Sequence, residues 1–164
     1  MIAAPSMAAL MADLGADVIK VEPLTGDILR QSVQNDPDVP DPYWELDNRG
    51  KRGIAVDLTQ PDGVAIIHRL AATADVFVIA VHPRRLRNLG LGLAEIAAAH
   101  PSLIVVSITD FGLTGPVANV DYEQVIAPTL RGLADDDVLV VVTTGGRPVD
   151  TLPPLPPNAR AATF

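Results

Sequence analysis

The chain has 164 residues, 48% of them hydrophobic, enough for one domain with a single sizeable core. Its 12 Lys and Arg against 20 Asp and Glu leave a net charge of -8, which repels phosphate backbones and anionic lipid surfaces and argues against nucleic acid and membrane as partners. With no cysteine, disulfides, thiolate nucleophiles and Cys-ligated metals are excluded, and nothing points to an oxidising compartment.

The opening MIAAPSMAALMADLG has no basic start and is broken by Asp13, so it reads neither as a secretory signal nor as a spanning helix, and a soluble, cytoplasmic protein is expected. PSMAALMADL, residues 5–14, predicts a helix, with Pro5 where a first turn tolerates it and Gly15 as its stop. ADVIKVE, residues 16–22, follows as a short β-rich run. Residues 23–52 differ in kind, rich in Pro, Asp, Asn and Gly and holding the only Trp, and read as a long surface loop region that is functional or disordered.

Further strands are expected at 53–58, 75–81, 103–109 and 138–144, with helices from 61 (PDGVAIIHRLAAT), 93 (LAEIAAAH) and 122 (YEQVIAPTLRGL) between them. Strands and helices in alternation, with near-continuous Val/Ile strands, predict an α/β architecture whose mostly parallel sheet is covered on both faces. Residues 146–164 form a Pro-rich tail, where Pro153, Pro154, Pro156 and Pro157 remove four backbone donors and forbid an ordinary helix or central strand.

Generic motifs add little. LGLGLAE at 89–95 lacks the third glycine of a dinucleotide loop and reads as a turn before a helix. ADDD at 134–137 reads as a solvated turn before a strand, and no metal is called for. His68, His82 and His100 have no Ser or Asp partner at a recognisable spacing and read as surface or packing histidines.

Three blocks in order are more specific: MADLGADVIKVEPLTGDILR (11–30), LDNRGKRGIAVDLTQPDGVAIIHRLAATADVFVIAVHPRRLRNLGLG (46–92) and HPSLIVVSITDFGLTGP (100–116). Together they resemble the class III coenzyme A transferase family, the group of formyl-CoA transferase, carnitine CoA-transferase and α-methylacyl-CoA racemase. The resemblance implies an incomplete, Rossmann-like large domain over residues 1–164, a coenzyme A or acyl-CoA substrate, no metal, and the interlocked dimer of the family. It places Ala4 at the family's Ala-Gly-Pro turn, and Pro23 in the loop after the first visible strand. Arg30 is either a phosphate partner or a solvated arginine. Val56 and Thr59 stand at the adenine-contacting stretch, where Thr59 replaces a basic side chain. In the loop VIAVHPRRLRNLG, Ala80 replaces an asparagine, Val81 an aromatic residue, Arg84 a glycine and Asn88 an arginine, while Arg84, Arg85 and Arg87 could meet a diphosphate or form a solvated turn.

Glu123 matches an acidic residue near the acyl group in some members, or is an exposed helical glutamate. The family's catalytic Asp, needed to attack the thioester carbonyl or to move the α-proton, falls at Pro157, which has neither nucleophile nor proton. The resemblance also implies a missing first strand and a missing remainder, hence a truncated, catalytically impaired chain. A non-catalytic partner subunit or scaffold of a complete paralogue is the alternative.

Overall fold

The computed structural model describes residues 3–30, 41–109 and 112–114, together with the backbone of 138–143 and 159–163. Among the described residues, five α-helices and six strands follow in the order α1 (Ala3–Asp13), β1 (Asp17–Glu22), a 3-10 turn (Ile28–Arg30), α2 (Pro42–Asn48), β2 (Lys51–Val56), α3 (Pro61–Ala71), β3 (Val76–Ala80), α4 (Pro83–Asn88), α5 (Leu93–Ala99), β4 (Ile104–Ser107), β5 (Val138–Thr143) and β6 (Ala159–Thr163). One sheet contains all six strands in the order β4-β3-β5-β1-β2-β6.

The α/β architecture expected from the alternation is present. β1 pairs with β2 in parallel, Val18 opposite Lys51, and β3 pairs with β4 in parallel, Val76 opposite Ile104. β5 lies between these two parallel pairs and runs antiparallel to both β1 and β3, while β6 runs antiparallel to β2. An apolar run such as VLVVVT reports burial but carries no sign of its direction, so the orientation of β5 has no signature in the sequence. Strand order reverses between β1 and β3, the switch point outside whose carboxyl ends open α/β sheets place ligands.

The alternation of side chains gives the sheet two unlike faces. Ile19, Val21, Ile54, Val56, Phe77 and Ile79 point one way and are covered by Ile66, Ile67 and Leu70 of α3, Leu86 of α4 and Ile96 of α5. On the other face Val18, Val76, Val78 and Ala80 meet Ala4 and Ala8, small residues that let α1 approach the strands closely. Lys20 shares this second face and is 1% exposed; its register partner is Gly53, which has no side chain to compete for the space.

The 23–52 stretch carries more structure than a surface excursion. Asp41 caps α2 by accepting hydrogen bonds from the Tyr43 and Trp44 amides at 2.8 and 3.4 Å, Pro42 occupies the first turn, and Trp44, Asp47 and Asn48 are buried. Seven residues are too few for a readable helical period, so the Asp41 cap and Pro42 at its start are its local signals. β6 begins after the last proline of the tail. The expected helix from 122, the acidic run at 134–137 and the prolines at 153–157 lie outside the described residues.

α3 sits against the loop that leaves β2. A Cβ on Gly63 would stand 1.9 Å from the Asp57 carbonyl oxygen, so only glycine permits this approach. Gly63→Ala is therefore expected to destabilise the fold by about 1–3 kcal/mol, read as a lower urea midpoint; an unchanged midpoint would show that the loop yields freely.

Candidate functional site

A cavity of about 300 Å³ opens at the carboxyl ends of β1 and β2. Val21, Glu22, Pro23, Leu24 and Thr25 form one wall, Val56, Asp57, Leu58 and Thr59 a second, and Arg85 and Leu89 of α4 a third. The walls are mainly apolar, with a few polar groups at the rim, as in a small-molecule site.

Each wall is fixed by local chemistry. The second is an Asx turn in which the Thr59 amide and hydroxyl donate to Asp57 Oδ1 at 2.9 and 2.6 Å. Those two donors hold the Asp57 carboxyl below the ordinary carboxylate range, and they commit the Thr59 hydroxyl to Asp57.

The first wall is tied to the buried face of the sheet. Gly26, in the left-handed region at φ 83°, lets the chain reverse after the Gly26 amide donates to the Pro23 carbonyl at 2.9 Å. The reversal brings the Asp27 carboxylate onto the Lys20 ammonium, where the two form a buried ion pair. Lys20 also donates to Asn48 Oδ1 at 3.0 Å, and the Asp27 amide donates to Glu22 Oε2 at 3.2 Å. Glu22 in turn accepts two bonds from the Arg30 guanidinium, at 2.8 and 3.1 Å. Trp44 receives both cations, Lys20 at 4.3 Å and Arg30 at 4.1 Å from its ring centroid.

Beside this cluster Lys51 donates to the Pro5 carbonyl at 2.7 Å, to Asn48 Oδ1 at 3.3 Å and to the Asp47 carbonyl, joining β2, α1 and α2. Burial, helped by the Lys20 charge and opposed by Asp47 and Asp27, pushes Lys51 down from 10.5 to about 7. Burial alone would raise the Asp27 carboxyl, but the Lys20 charge and hydrogen bond, with the Leu29 amide, hold it below the ordinary range. Burial lowers the Lys20 ammonium in spite of Asp27 and Glu22.

Of the residues singled out in the sequence, Pro23, Val56, Thr59 and Arg85 come together around the cavity. Ala4 is fully buried where α1 packs on the sheet, Ala80 and Val81 are buried at the end of β3, and Asn88 is exposed on α4, so none of these four is a wall. Arg30 grips Glu22 from behind the first wall rather than lining it. Glu123 and Pro157 lie outside the described residues. Leu24, Thr25, Asp57, Leu58 and Leu89 were not singled out, although all but Leu89 directly follow strand ends, the signal that could have found them. His68 Nδ1 and His100 Nε2 meet at 3.1 Å with rings tilted by 32°, a packing pair outside the cavity. Among the described residues no group of three or more His, Asp or Glu could hold a metal ion, and no helix is long and apolar enough to cross a membrane.

Residues 1–145 match the profile of CoA-transferase family III. The chain is 36% identical over 144 residues to (R)-2-hydroxy-4-methylpentanoate CoA-transferase of Clostridioides difficile, covering 84% of this chain and 36% of that protein. It is 34% identical over 134 residues to the succinyl-CoA–L-malate CoA-transferase beta subunit of Chloroflexus aurantiacus, covering 81% of this chain and 33% of that one. The crystal structure of a CAIB/BAIF family protein from Brucella suis superposes with a TM-score of 0.64 at 37% identity, covering 71% of this chain and 32% of that one. The chain thus spans about a third of the length of the curated relatives it matches.

Lys20→Met strands Asp27 in the interior and is expected to cost about 3–5 kcal/mol, whereas Lys20→Met combined with Asp27→Leu recovers most of that loss in urea denaturation. Lys51 gives a pH signature. Its folded value of about 7 lies below the unfolded 10.5, so between these the unfolded chain binds more protons and stability rises with pH. Lys20 acts in the same sense, so the test is the difference between wild type and Lys51→Met, whose rise from pH 7 to pH 10 should be shallower. Parallel curves would show that Lys51 does not titrate in this window.

Proposed function

Because the chain belongs to CoA-transferase family III, we propose that its cavity receives the adenine nucleotide end of a coenzyme A thioester. The observation that carries this reading is the convergence of Pro23, Val56, Thr59 and Arg85 on one cavity at the carboxyl edge of β1 and β2. The apolar walls from Pro23, Leu24, Val56, Leu58 and Leu89 suit a flat purine, and the Asp57 carboxylate suits a ribose hydroxyl. Arg85 supplies a cation for phosphate. Glu22, the other acid in the wall, is already neutralised by Arg30.

The reaction class is acyl transfer between coenzyme A and a carboxylate. A carboxylate attacks the thioester carbonyl carbon, the C–S bond breaks and the thiolate leaves with the electron pair, giving an acyl anhydride; a second acid displaces the first acid from that anhydride as its carboxylate, and the thiolate then attacks the new acyl carbonyl and expels the original carboxylate. In this chain the position matched to the attacking Asp holds Pro157, so binding is proposed to outlast turnover. Glu123 is the acidic residue proposed to face the acyl group. A second reading, a non-catalytic subunit that works beside a complete paralogue or as a homodimer, is favoured by one matched relative being itself named a subunit; co-purification with a larger homologue supports it.

Isothermal titration of the folded chain with coenzyme A and acetyl-CoA is expected to show saturable, micromolar binding. Arg85→Ala should weaken it about 10-fold, and Thr59→Lys, which returns a cation to the second wall, should tighten it and steepen its salt dependence. Acyl transfer to a carboxylate acceptor should fall on the order of 10⁴-fold or more below that of a family enzyme with its Asp. A folded sample that takes up no coenzyme A sinks the binding proposal, and brisk turnover sinks the proposed impairment.

A further inference from the structure

Away from the cavity, one pair of side chains does more than fill space. His68 lies on α3 and His100 caps the end of α5, two helices that cover the same face of the sheet. The Nδ1 of His68 and the Nε2 of His100 face each other at 3.1 Å, and both residues are half-buried, so an ion from solvent can reach them.

That separation is the edge of a coordination shell. With metal–nitrogen bonds of about 2.0–2.1 Å, two ring nitrogens stand about 2.9 Å apart at a right angle and about 3.3–3.4 Å apart at a tetrahedral one. The observed 3.1 Å lies between them, so an ion needs small ring rotations and no backbone movement. The backbone is held on both sides: Ile66, Ile67 and Leu70 anchor α3, the His100 amide donates to the Ile96 carbonyl at 3.0 Å, and the His100 carbonyl accepts from the Leu103 amide at 3.0 Å. In the metal-free pair one ring donates its proton to the other. On binding, that proton passes to the far nitrogen of the same ring, so both lone pairs become available and both rings stay neutral.

The surroundings say which class of ion fits. One turn from His68 on α3 stand Val64 and Ala72, and one turn before His100 stands Ile96, so these helix neighbours bring no carboxylate to the pair. Among the described residues no third His, Asp or Glu completes a set. Two uncharged imidazoles without oxygen ligands suit copper(II), nickel(II) or zinc(II) rather than magnesium or calcium, and copper(II) is held most tightly. The net charge of -8 draws a cation toward the chain.

We propose that His68 and His100 form a two-ligand site for such a divalent transition ion, with its remaining coordination positions taken by water and open to exchange. The pair is separate from the cavity, and the inference is independent of the coenzyme A reading.

Titration of the metal-free chain with copper(II) and zinc(II) chloride is expected to show one ion bound per chain, copper(II) the more tightly, and no binding of magnesium. Removing even an outer-shell partner of a metal ligand weakens binding about 10- to 100-fold, so His68→Gln and His100→Gln should each cost at least about 10-fold. His82→Asn, which alters a histidine outside the pair and keeps its capping acceptor, should bind as wild type does. Electron paramagnetic resonance of the copper(II) form should show coupling to two ring nitrogens, which a pair that only packs does not produce, and this readout needs no variant to fold. Equal copper(II) affinity in wild type and either single variant means an adventitious ion only and overturns the site. Absence of saturable copper(II) binding, or a wild-type spectrum without two-nitrogen coupling, overturns it as well.

Discussion

The contact between Lys20 and Asp27 organises the site from beneath. Lys20 occupies a strand position that alternation turns toward α1, on a face otherwise lined by Val18, Val76, Val78 and Ala80. An ammonium there is tolerable only if it is paired, and the pairing carboxylate comes from the loop that walls the cavity. The requirement therefore acts in both directions: the core needs the loop folded back, and the loop owes its course to a charge in the core. Glu22, Arg30, Asn48 and Trp44 complete the cluster, so the 3-10 turn and α2 are drawn into the same arrangement.

Much of this was legible in the sequence, and the boundary is instructive. β1 to β3 could be read because buried parallel strands demand Val and Ile runs, β4 because its IVVS run keeps that composition at the sheet edge although none of it is buried, and α3 because Ile66, Ile67 and Leu70 recur at helical spacing under a proline start. α2 was not, since its reason for being helical is the Asp41 cap and its reason for being buried is Lys20, which sits more than twenty residues earlier. Lys20 itself looks like an ordinary polar residue in a strand. Its burial follows from the bare Gly53 opposite and from a left-handed turn at Gly26, neither of which a local pattern expresses.

The cavity shows the same division. Pro23, Val56, Thr59 and Arg85 were found through the three blocks of family resemblance, whereas Leu24, Thr25 and Asp57 needed only the rule that strand ends face ligands. Leu89 required knowing that residues 83–88 form a helix, a segment whose three arginines obscure its single buried anchor, Leu86. The environment of His82 was least legible of all, because a capping Nδ1 and an unpartnered Nε2 are properties of two atoms within one side chain.

The central place of β5 governs how the chain can assemble. β1 with β2, and β3 with β4, pair strands near one another in sequence, so their loops close early and at modest entropic cost. Among the described strands those two halves are not neighbours; the sheet's continuity runs through β5, where Thr143 must find Asp17 and Val142 must find both Val18 and Val76. On its β1 side the seam is thus made from the pairings of greatest sequence separation in the sheet, and local structure can form on either side before the seam closes. The switch point beside the cavity is also the junction at which the two halves of the domain become one cooperative unit.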